Sequence, residues 1–406
     1  MKKEIKKVPT IRFKGFTDDW EQRKLKELVE FNPSEELPDE FEYVDLESVV
    51  GTEMISHRHE NKATAPSRAQ RVAHQGDLFY QTVRPYQKNN YLFDKPDNDY
   101  VFSTGYAQMR PYIDGHFLLD LVQTERFVKI VLDNCTGTSY PAINANDLSS
   151  IKITYPQCRN EQQTIGVFLA SIDNLITLHQ RKLKQLQTLK KYFLQNMFPA
   201  KGEKVPAIRF KGFTGDWEQK KITDISKIFI GLVTNMTENY RDQGTLLIRN
   251  SDIRENQFSF SNTPIFLKET FAEENKTRRL KLGDVITVHT GDIGTSAIIT
   301  KNEVGAIGFA TINTRPNKEI LDSYYLAAFF NTKQHKTYAL RMATGDGRSN
   351  YNLKDFKKLV IPLPSIAEQK KIGGCFQNLY HLIIFQQHKI NQLQSLKKFM
   401  LQNLFI

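Results

Sequence analysis

Two blocks of sequence occur twice in this chain, and this duplication constrains the fold more than any other feature. The opening block VPTIRFKGFTDDWEQRKLKEL starts at Val8 and returns as VPAIRFKGFTGDWEQKKITDI at Val205, with 14 of 21 positions identical. A closing block of 38 residues spans 161–198 and returns at 368–405, with 18 identical positions. The long stretches between these blocks share almost nothing. A repeated frame around unlike inserts predicts one scaffold that presents two different recognition surfaces.

The closing blocks predict two long amphipathic helices. Their apolar residues alternate spacings of three and four, which is a heptad pattern. The pattern is interrupted at His179 and Lys190 in the first block and at Gln386 and Lys397 in the second. We expect two helices with matching stripes and matching polar gaps to pair with each other, although each could instead pack on its own domain. The stripe residues are Ile165, Leu169, Ile172, Ile176, Leu183, Leu186, Phe193 and Met197, then Ile372, Phe376, Leu379, Ile383, Ile390, Leu393, Met400 and Leu404.

Chain connectivity predicts the direction of these helices. The first leads into the second insert, and the second ends the sequence given. If the helices lie side by side, each with its own insert at its start, they run antiparallel and the inserts are related by a pseudo-twofold axis. A helix of 38 residues spans ~57 Å. The predicted segments are 1–156 and 201–364 for the inserts with their opening frames, and 157–200 and 365–406 for the helices.

The inserts are predicted to be mixed α and β, which makes the fold class α+β. Short runs of β-branched and aromatic residues, punctuated by Gly, Asn and Pro, are typical of strands joined by turns. Helical stretches are expected late in each insert, at 118–132 and 322–338. The opening frame is expected to turn into a short helix capped by Asp18 or Asp19, with Trp20 packed inside.

Composition restricts the classes of protein that fit. At 406 residues, two to four domains are expected. No apolar run reaches the ~18 residues of a membrane span, and Cys135, Cys158 and Cys375 form neither a metal motif nor a disulfide framework, which predicts a reducing cytoplasm. The formal charge of +11 favours a polyanionic partner such as nucleic acid, although it could also serve only solubility.

Motifs for catalysis are missing from the sequence. There is no phosphate-binding G-x-x-x-x-G-K-[ST] loop, and the sequence NPSE at 32–35 lacks the second proline and the aromatic residue of a base methyltransferase motif. His57 and His59 could bind a metal, but no second ligand cluster accompanies them, so surface or DNA-contacting histidines are expected. We therefore expect neither catalysis nor a metal site in this chain.

Polar and basic loops with interleaved aromatic residues are present in both inserts, at 56–71 and 81–90 and at 246–257, 275–281 and 344–352. Arg, Lys, Gln and Asn are the side chains that pair with base edges in a major groove. The last loop aligns with 136–144 of the first insert, and such glycine-flanked loops expose N–H groups to phosphates. The predicted DNA-binding residues are Arg84, Gln87 and Lys88 in the first insert and Arg249, Asn250, Arg348 and Asn350 in the second.

Over its full length the chain resembles the specificity (S) subunit of type I restriction–modification systems. The resemblance is carried by P-x-I-R-F-x-G-F-T-x-x-W-E-Q at 9–22 and 206–219, by APSRAQRVAHQGDLFYQTVRPYQKN at 65–89, by TGDGRSNYNLKDFKKLVIPLPSIAEQKKI at 344–372, and by helices ending LKKYFLQNMF and LKKFMLQNLF. It implies that the inserts are two target-recognition domains, each reading one half of a bipartite, asymmetric DNA site. The first of the aligned loops has TSYPAIN where the second has GRSNYN, so loop roles do not transfer directly between the two halves.

The resemblance also implies the partners. The conserved helices would set the unread spacer and dock two methylation subunits, which in turn recruit restriction subunits. S-adenosylmethionine, ATP and magnesium would belong to those partners, and this chain would be a non-catalytic subunit. Two other classes stay open: a stand-alone methyltransferase or nuclease with its own recognition domains, and a coiled-coil adaptor that binds only proteins.

Overall fold

The structure, a computed structural model, describes residues 8–96, 99–137, 139–260, 264–344 and 350–406. The chain forms two compact units. Unit 1 consists of Met1–His179 together with His388–Ile406, and unit 2 is Gln180–Gln387. Each unit therefore contains one insert and parts of both long helices.

The described residues of unit 1 form two four-stranded sheets and two two-stranded ones. The strands are β1 Glu21–Lys24, β2 Val29–Phe31, β3 Glu40–Val44, β4 Val49–Val50, β5 Glu53–Met54, β6 Arg58–Asn61, β7 Ala69–Val72, β8 Leu78–Gln81, β9 Tyr91–Leu92, β10 Tyr100–Ser103, β11 Tyr106–Pro111 and β12 Lys152–Tyr155. The four-stranded sheets have the orders β6-β3-β10-β7 and β2-β11-β8-β9, while β1 pairs with β12 and β4 with β5. The helices are α1 Gly115–Gln123, α2 Glu125–Asp133, α3 Ala145–Ser150 and the long α4 Arg159–Asn196, which continues into unit 2.

Unit 2 repeats this plan with different strand lengths. Its strands are β13 Glu218–Lys221, β14 Ser226–Ile230, β15 Tyr240–Arg241, β16 Thr245–Arg249, β17 Ile253–Arg254, β18 Gln257–Phe258, β19 Ile265–Leu267, β20 Val285–Thr287, β21 Ser296–Ile298, β22 Ile307–Phe309, β23 Ile312–Pro316 and β24 Val360–Leu363. The four-stranded sheets are β14-β23-β20-β21 and β15-β19-β16-β22, and β13 pairs with β24. The helices are α5 Ile222–Ile225, α6 Glu269–Glu274, α7 Ser323–Phe330, α8 Lys333–Met342, α9 Leu353–Phe356 and the long α10 Ile366–Asn403, which continues into unit 1.

The two units share details that their sequences hide. Each has one parallel strand pair, β3 with β10 and β16 with β22, in an otherwise antiparallel sheet. In each, a buried aspartate just before one strand accepts hydrogen bonds from an arginine on the adjacent strand: Asp77 from Arg110 at 2.9 Å and Asp284 from Arg315 at 2.7 Å. The fold class predicted from the repeat, two pseudo-symmetric α+β domains with two long helices, is confirmed.

The long helices pair along the predicted stripe. In unit 1, Lys397 forms an ion pair with Asp173 at 2.7 Å, and the core contains Ile165, Leu169 and Leu404 together. In unit 2 the Nζ atom of Lys190 lies 5.1 Å from the centre of the Tyr380 ring, and the rings of Phe198 and Phe376 are 6.0 Å apart. Because the residue number rises on one helix as it falls on the other, the helices run antiparallel. Lys190 and Lys397, predicted as breaks in the stripe, are thus partnered polar positions.

The opening frame packs against the start of a long helix in each unit. Arg12 and Arg209 form ion pairs with Glu161 and Glu368 at 2.8 and 2.7 Å, and both carboxylates are 1% exposed. The Trp20 ring, buried as predicted, donates a hydrogen bond to Glu161 as well. Burial of these charges is tolerated because each carboxylate is paired and hydrogen-bonded.

Two local predictions were wrong in part. The short helix expected after the opening frame is a 3-10 helix, Leu25–Glu27, in unit 1 and α5 in unit 2. Its N-cap in unit 1 is Lys24 and not Asp18 or Asp19. The strand β1 comes first, because it pairs with the distant strand β12. The late helical stretches are each divided into two helices. Thr124 and Thr332 interrupt them, since each adopts an extended backbone and its hydroxyl caps the next helix.

Candidate nucleic-acid interface

A tight hairpin loop between β8 and β9 positions the predicted residues of unit 1. Arg84 and Lys88 both adopt the left-handed backbone conformation, with φ of 54° and 57°, on either side of the 3-10 turn Pro85–Gln87. For a residue other than glycine this conformation costs roughly 1–2 kcal/mol. The loop is nevertheless held in place, because Val83 forms an antiparallel bridge with Ala142 on a second loop.

The second loop supplies an aromatic platform for Arg84. The guanidinium carbon of Arg84 lies 4.4 Å from the centre of the Tyr140 ring, and the backbone N–H of Arg84 donates to the carbonyl of Pro141 at 2.8 Å. Tyr140 is 64% exposed. Among the described residues, the guanidinium makes no hydrogen bond within the protein. Stacking on a ring leaves the in-plane N–H donors of arginine available to a ligand.

Gln87 and Lys88 are also brought to this surface, with more internal contacts. The side-chain oxygen of Gln87, which is exposed, accepts a hydrogen bond from Gln81 at 2.9 Å. Lys88 is half-buried and its Nζ atom contacts Glu125 at 2.8 Å. The hydrogen bond from Lys88 lowers the pKa of the Glu125 carboxyl. The structure therefore places Arg84, Gln87 and Lys88 on one loop.

The corresponding surface of unit 2 is built by the same pair of loops. Thr344 and Asn350 close a loop by two backbone hydrogen bonds, as Thr136 and Ala142 do in unit 1. Asn350 also bridges Thr290, the position that corresponds to Val83 at an offset of 207 residues, and its side-chain oxygen accepts a hydrogen bond from the Thr290 hydroxyl at 2.6 Å. The alignment of the loops therefore holds in three dimensions. Arg348 lies outside the described residues.

Arg249 and Asn250 are occupied by contacts inside unit 2. One edge of the Arg249 guanidinium, its Nε and Nη2 atoms, donates to the Asp252 carboxylate at 2.9 and 2.8 Å, and these hydrogen bonds raise the pKa of Arg249. The Asn250 amide donates to the carbonyl of Ala310 at 3.1 Å, and its oxygen accepts from the backbone of His289 at 2.8 Å. Asn250 therefore fastens its own loop to neighbouring strands. As DNA contacts, both residues stay predictions.

The two histidines considered as metal ligands converge on a carboxylate. His57 and His59 contact Glu42 at 2.7 and 3.2 Å, and the hydrogen bond to His57 lowers the pKa of Glu42. Across the described part of the chain, no group of three or more His, Cys, Asp and Glu side chains is arranged to hold a metal ion.

Tyr140 is the functional candidate that the sequence argument missed. It lies in a segment, 136–144, that had been recognised only as a loop aligned with 344–352. The sequence signal that could have found Tyr140 is an aromatic residue within the loop 136–144. Its pairing with Arg84 required knowledge of which backbone positions bridge.

Comparison with known proteins identifies the family. The sequence profile of the type I restriction modification DNA specificity domain matches residues 17–188 and again 214–395. A type I restriction enzyme MjaVIII specificity subunit of Methanocaldococcus jannaschii is 23% identical over 303 residues, or 70% of this chain and 68% of that protein. The EcoBI specificity subunit of Escherichia coli is 22% identical over 287 residues, or 64% of this chain and 60% of its own length. Across the relatives compared, the match covers 45% to 68% of the relative's length.

Solved structures agree on the fold. The S subunit of a type I restriction–modification system from M. genitalium has a TM-score of 0.68 at 14% identity, with 98% of this chain and 99% of that chain covered. A chain from a study of complex assembly and conformational transition in a type I system gives 0.52 at 22% identity, covering 95% and 97%.

The duplicated frame, together with a family profile that matches twice along the chain, defines a protein that carries two DNA-specificity domains. The chain belongs to the specificity subunits of type I restriction–modification systems, which are non-catalytic DNA-recognition subunits.

Proposed function

We propose that this chain selects the DNA site of a type I restriction–modification complex, each unit reading one half of a bipartite, asymmetric sequence. One observation carries the proposal. Both units bring the same two loops together by the same backbone bridges, yet the side chains on those loops differ: Arg84, Gln87 and Lys88 in one, Thr290 and Asn350 in the other. Equal geometry with unequal chemistry suits two readers of unrelated bases.

The proposed DNA contacts are the residues predicted from sequence. Arg84, Gln87 and Lys88 would serve the first half-site, and Arg249, Asn250, Arg348 and Asn350 the second. The internal hydrogen bonds of Arg249 and Asn250 support the proposal in one respect, because they hold the loop that would carry these contacts.

The helices are proposed to set the spacer between the two half-sites. Their matched stripe of buried residues supports a fixed register. Removing one heptad from both helices should change the permitted spacer length and leave both half-site sequences unchanged. A spacer length that stays constant in this variant would refute the proposal that the helices set it.

Two methylation subunits are proposed to dock on the long helices. Each unit carries an exposed apolar patch at equivalent heptad positions of both helices. These positions are Leu175, Leu178, Leu396 and Phe399 in unit 1 and Leu382, Phe385, Leu189 and Tyr192 in unit 2, with exposures of 38% to 61%. Matching residues are 207 positions apart. Two like patches would accept two copies of one partner.

The remaining components are proposed for those partners. S-adenosylmethionine, ATP and magnesium would bind to the methylation and restriction subunits, and restriction subunits would join through the methylation subunits. A cytoplasmic location stays a prediction from the cysteine pattern. Within the described residues, no helix is long and apolar enough to cross a membrane.

The test of the proposed function is to express the chain with its methylation subunits and map methylated bases across the host genome. Two fixed half-sites separated by a constant unread spacer are expected. Binding of the complex to that duplex should weaken steeply with salt. Methylation without a bipartite motif, or no retention on DNA at low salt, would favour the adaptor that binds only proteins.

A further inference from the structure

We propose that Arg84, held on the ring of Tyr140, is a specificity-determining residue of unit 1 and pairs bidentately with the edge of a guanine in the major groove. This inference rests on the proposed function. It names the chemistry by which one half-site would be read and adds Tyr140 as the residue that positions the reader.

The turn that follows β8 in unit 1 has a counterpart after β20 in unit 2. Strand pairing places Leu78 opposite Leu92 in unit 1 and Val285 opposite Ile298 in unit 2, so the second hairpin is one residue shorter. At the offset of 207 residues Arg84 corresponds to Gly291. Gly291 has a φ of 102°, and a Cβ at that position would meet nothing within 4 Å. The turn therefore requires a residue with a positive φ at this position, and there is space for a side chain.

The second left-handed position follows the same rule. Lys88 has a φ of 57°, and Gly294, its counterpart after the one-residue difference, has a φ of 84°. Unit 2 therefore uses glycine at both places, where left-handed conformations are free of strain. Unit 1 uses two long cationic side chains at the same places and bears the strain. A strained backbone that a glycine would relieve indicates that the side chain has a task of its own.

The guanidinium of Arg84 differs from the ammonium of Lys88 in its partners. Lys88 is engaged with Glu125, whereas the Arg84 side chain lies over the Tyr140 ring and makes no hydrogen bond or ion pair among the described residues. The ring covers one face of the guanidinium and restricts its motion, so less freedom remains to be lost when a ligand binds. Its N–H donors stay unsatisfied in the plane. A fixed planar fork of donors matches the O6 and N7 acceptors of guanine.

The position of the pair is also accessible. Tyr140 is 64% exposed and Tyr86, on the 3-10 turn beside Arg84, is 49% exposed. The bridge between Val83 and Ala142 ties both loops to the sheet that contains β8. The guanidinium is therefore carried by a supported backbone at the surface, which is what base reading requires.

The experiment uses the full chain assembled with its methylation subunits and a library of randomised DNA duplexes, from which preferred sequences are selected. Arg84→Gly and Arg84→Lys test the reader, and Tyr140→Ala with Tyr140→Phe tests its support. Lys129→Ala is the charge control, since Lys129 is exposed on α2 and belongs to neither loop. Thermal unfolding of each variant is measured alongside.

Arg84→Gly should unfold at an equal or higher temperature, because it relieves the left-handed strain. It should lose preference at one G·C position of one half-site and bind the preferred duplex roughly 5- to 150-fold more weakly. Arg84→Lys should lose the same preference because lysine lacks the planar fork. Tyr140→Phe should keep it, Tyr140→Ala should reduce it, and Lys129→Ala should leave it intact.

Three results would overturn the inference. Arg84→Gly could unfold at a clearly lower temperature, which would make the arginine structural. Arg84→Lys could retain full preference while Arg84→Gly weakens binding to all duplexes equally and lowers the salt slope by about 1, which would mark a phosphate contact. Both variants could select the same half-sites as the natural chain. If the natural complex itself selects no sequence, the proposed function fails instead.

Discussion

Single residues of the recognition surface divide into those that hold loops and those that face outward, and sequence alone did not separate them. Arg249 and Asn250 have the bidentate chemistry of base readers, but Asp252 and the backbone of β22 and its neighbour use that chemistry internally. Arg84 has the same chemistry, but its side chain lies over a ring and makes no hydrogen bond or ion pair among the described residues. The difference lies in partners distant in sequence, such as Tyr140, 56 residues later, which composition cannot reveal.

The buried residue His335 leads to a prediction about how the stability of unit 2 depends on pH. It is 1% exposed on α8 and stacks on Phe330 at 4.7 Å, with Tyr351 and Phe356 around it. Its Nδ1 atom lies 2.7 Å from the Phe330 carbonyl, while the buried Nε2 has no hydrogen-bond partner among the described residues. Burial lowers the pKa of His335 to about 4, helped by the charge of Lys336 and opposed by the Phe330 hydrogen bond.

The folded state therefore keeps His335 neutral where an unfolded chain, with a histidine pKa of about 6.5, takes up a proton. Stability from this group is complete above pH ~6.5 and is lost as the pH falls toward ~4, by on the order of 3 kcal/mol. We expect His335→Gln to flatten this part of the pH profile. Urea unfolding followed by Trp217 fluorescence in a Trp20→Phe background measures unit 2 at each pH. Parallel profiles for the two proteins would contradict the assignment.

Among the elements, the long helices were the part most completely predicted. The closing blocks at 161–198 and 368–405 correspond to α4 Arg159–Asn196 and α10 Ile366–Asn403. Helices are predictable here because the heptad repeat is a local pattern carried over eleven turns. The strand β1 was missed in the opening frame because it is four residues long and exists only through its pairing with β12. Its identity as a strand is a non-local fact.

A glycine pair in α10 tests how this helix meets the recognition domain of unit 2. A Cβ on Gly373 would lie 2.6 Å from the Asp322 carboxylate and 2.8 Å from the backbone nitrogen of Tyr325, at the capped start of α7. Gly166 meets the start of α1 in the same way in unit 1. The next residue, Gly374, has nothing within 4 Å of the added carbon. A side chain is therefore excluded at position 373 and has free space at position 374.

Gly373→Ala should destabilise unit 2 by about 1–3 kcal/mol, because the capped turn of α7 is backbone and cannot move aside easily. Gly374→Ala should stabilise it by about 1 kcal/mol, since alanine favours a helix interior and meets no neighbour. Denaturant unfolding of both variants, again with Trp217 as the probe, decides the matter. Equal effects of the two substitutions would show that the close approach of α10 to α7 is wrong.

For the whole molecule, the duplicated sequence predicted a duplicated architecture, because identical frame residues form the same packing contacts in both units. The ion pairs Arg12–Glu161 and Arg209–Glu368 are one such solution made twice. The inserts could not be predicted to the same depth. One four-stranded sheet has the same strand order in both units, β2-β11-β8-β9 and β14-β23-β20-β21, while the loop residues diverge. Selection for different DNA sequences would act on those loops.

The paired apolar patches lead to a prediction about assembly. In each unit they occupy heptad positions beside the buried stripe, and in an antiparallel pair those positions of both helices lie on one side. Asp173 and Lys397 are in contact in unit 1, so Leu175 and Leu396 lie at nearly the same level there. The equivalent residues in unit 2 are Leu382 and Leu189. Each patch is therefore a two-helix surface suited to one copy of a helical partner.

Leu178→Ser with Phe399→Ser should remove one methylation subunit from the complex, and Tyr192→Ser with Phe385→Ser should remove the other. Native mass spectrometry of the co-expressed complex would then change from two copies per chain to one, and to none when both pairs are combined. Fold stability should change little, because these side chains are exposed in the chain by itself. Ile55→Ser and Val233→Ser, exposed at 61% and 68% outside the patches, are the matched controls and should retain two copies. Two copies bound to both patch variants would place the docking surface elsewhere.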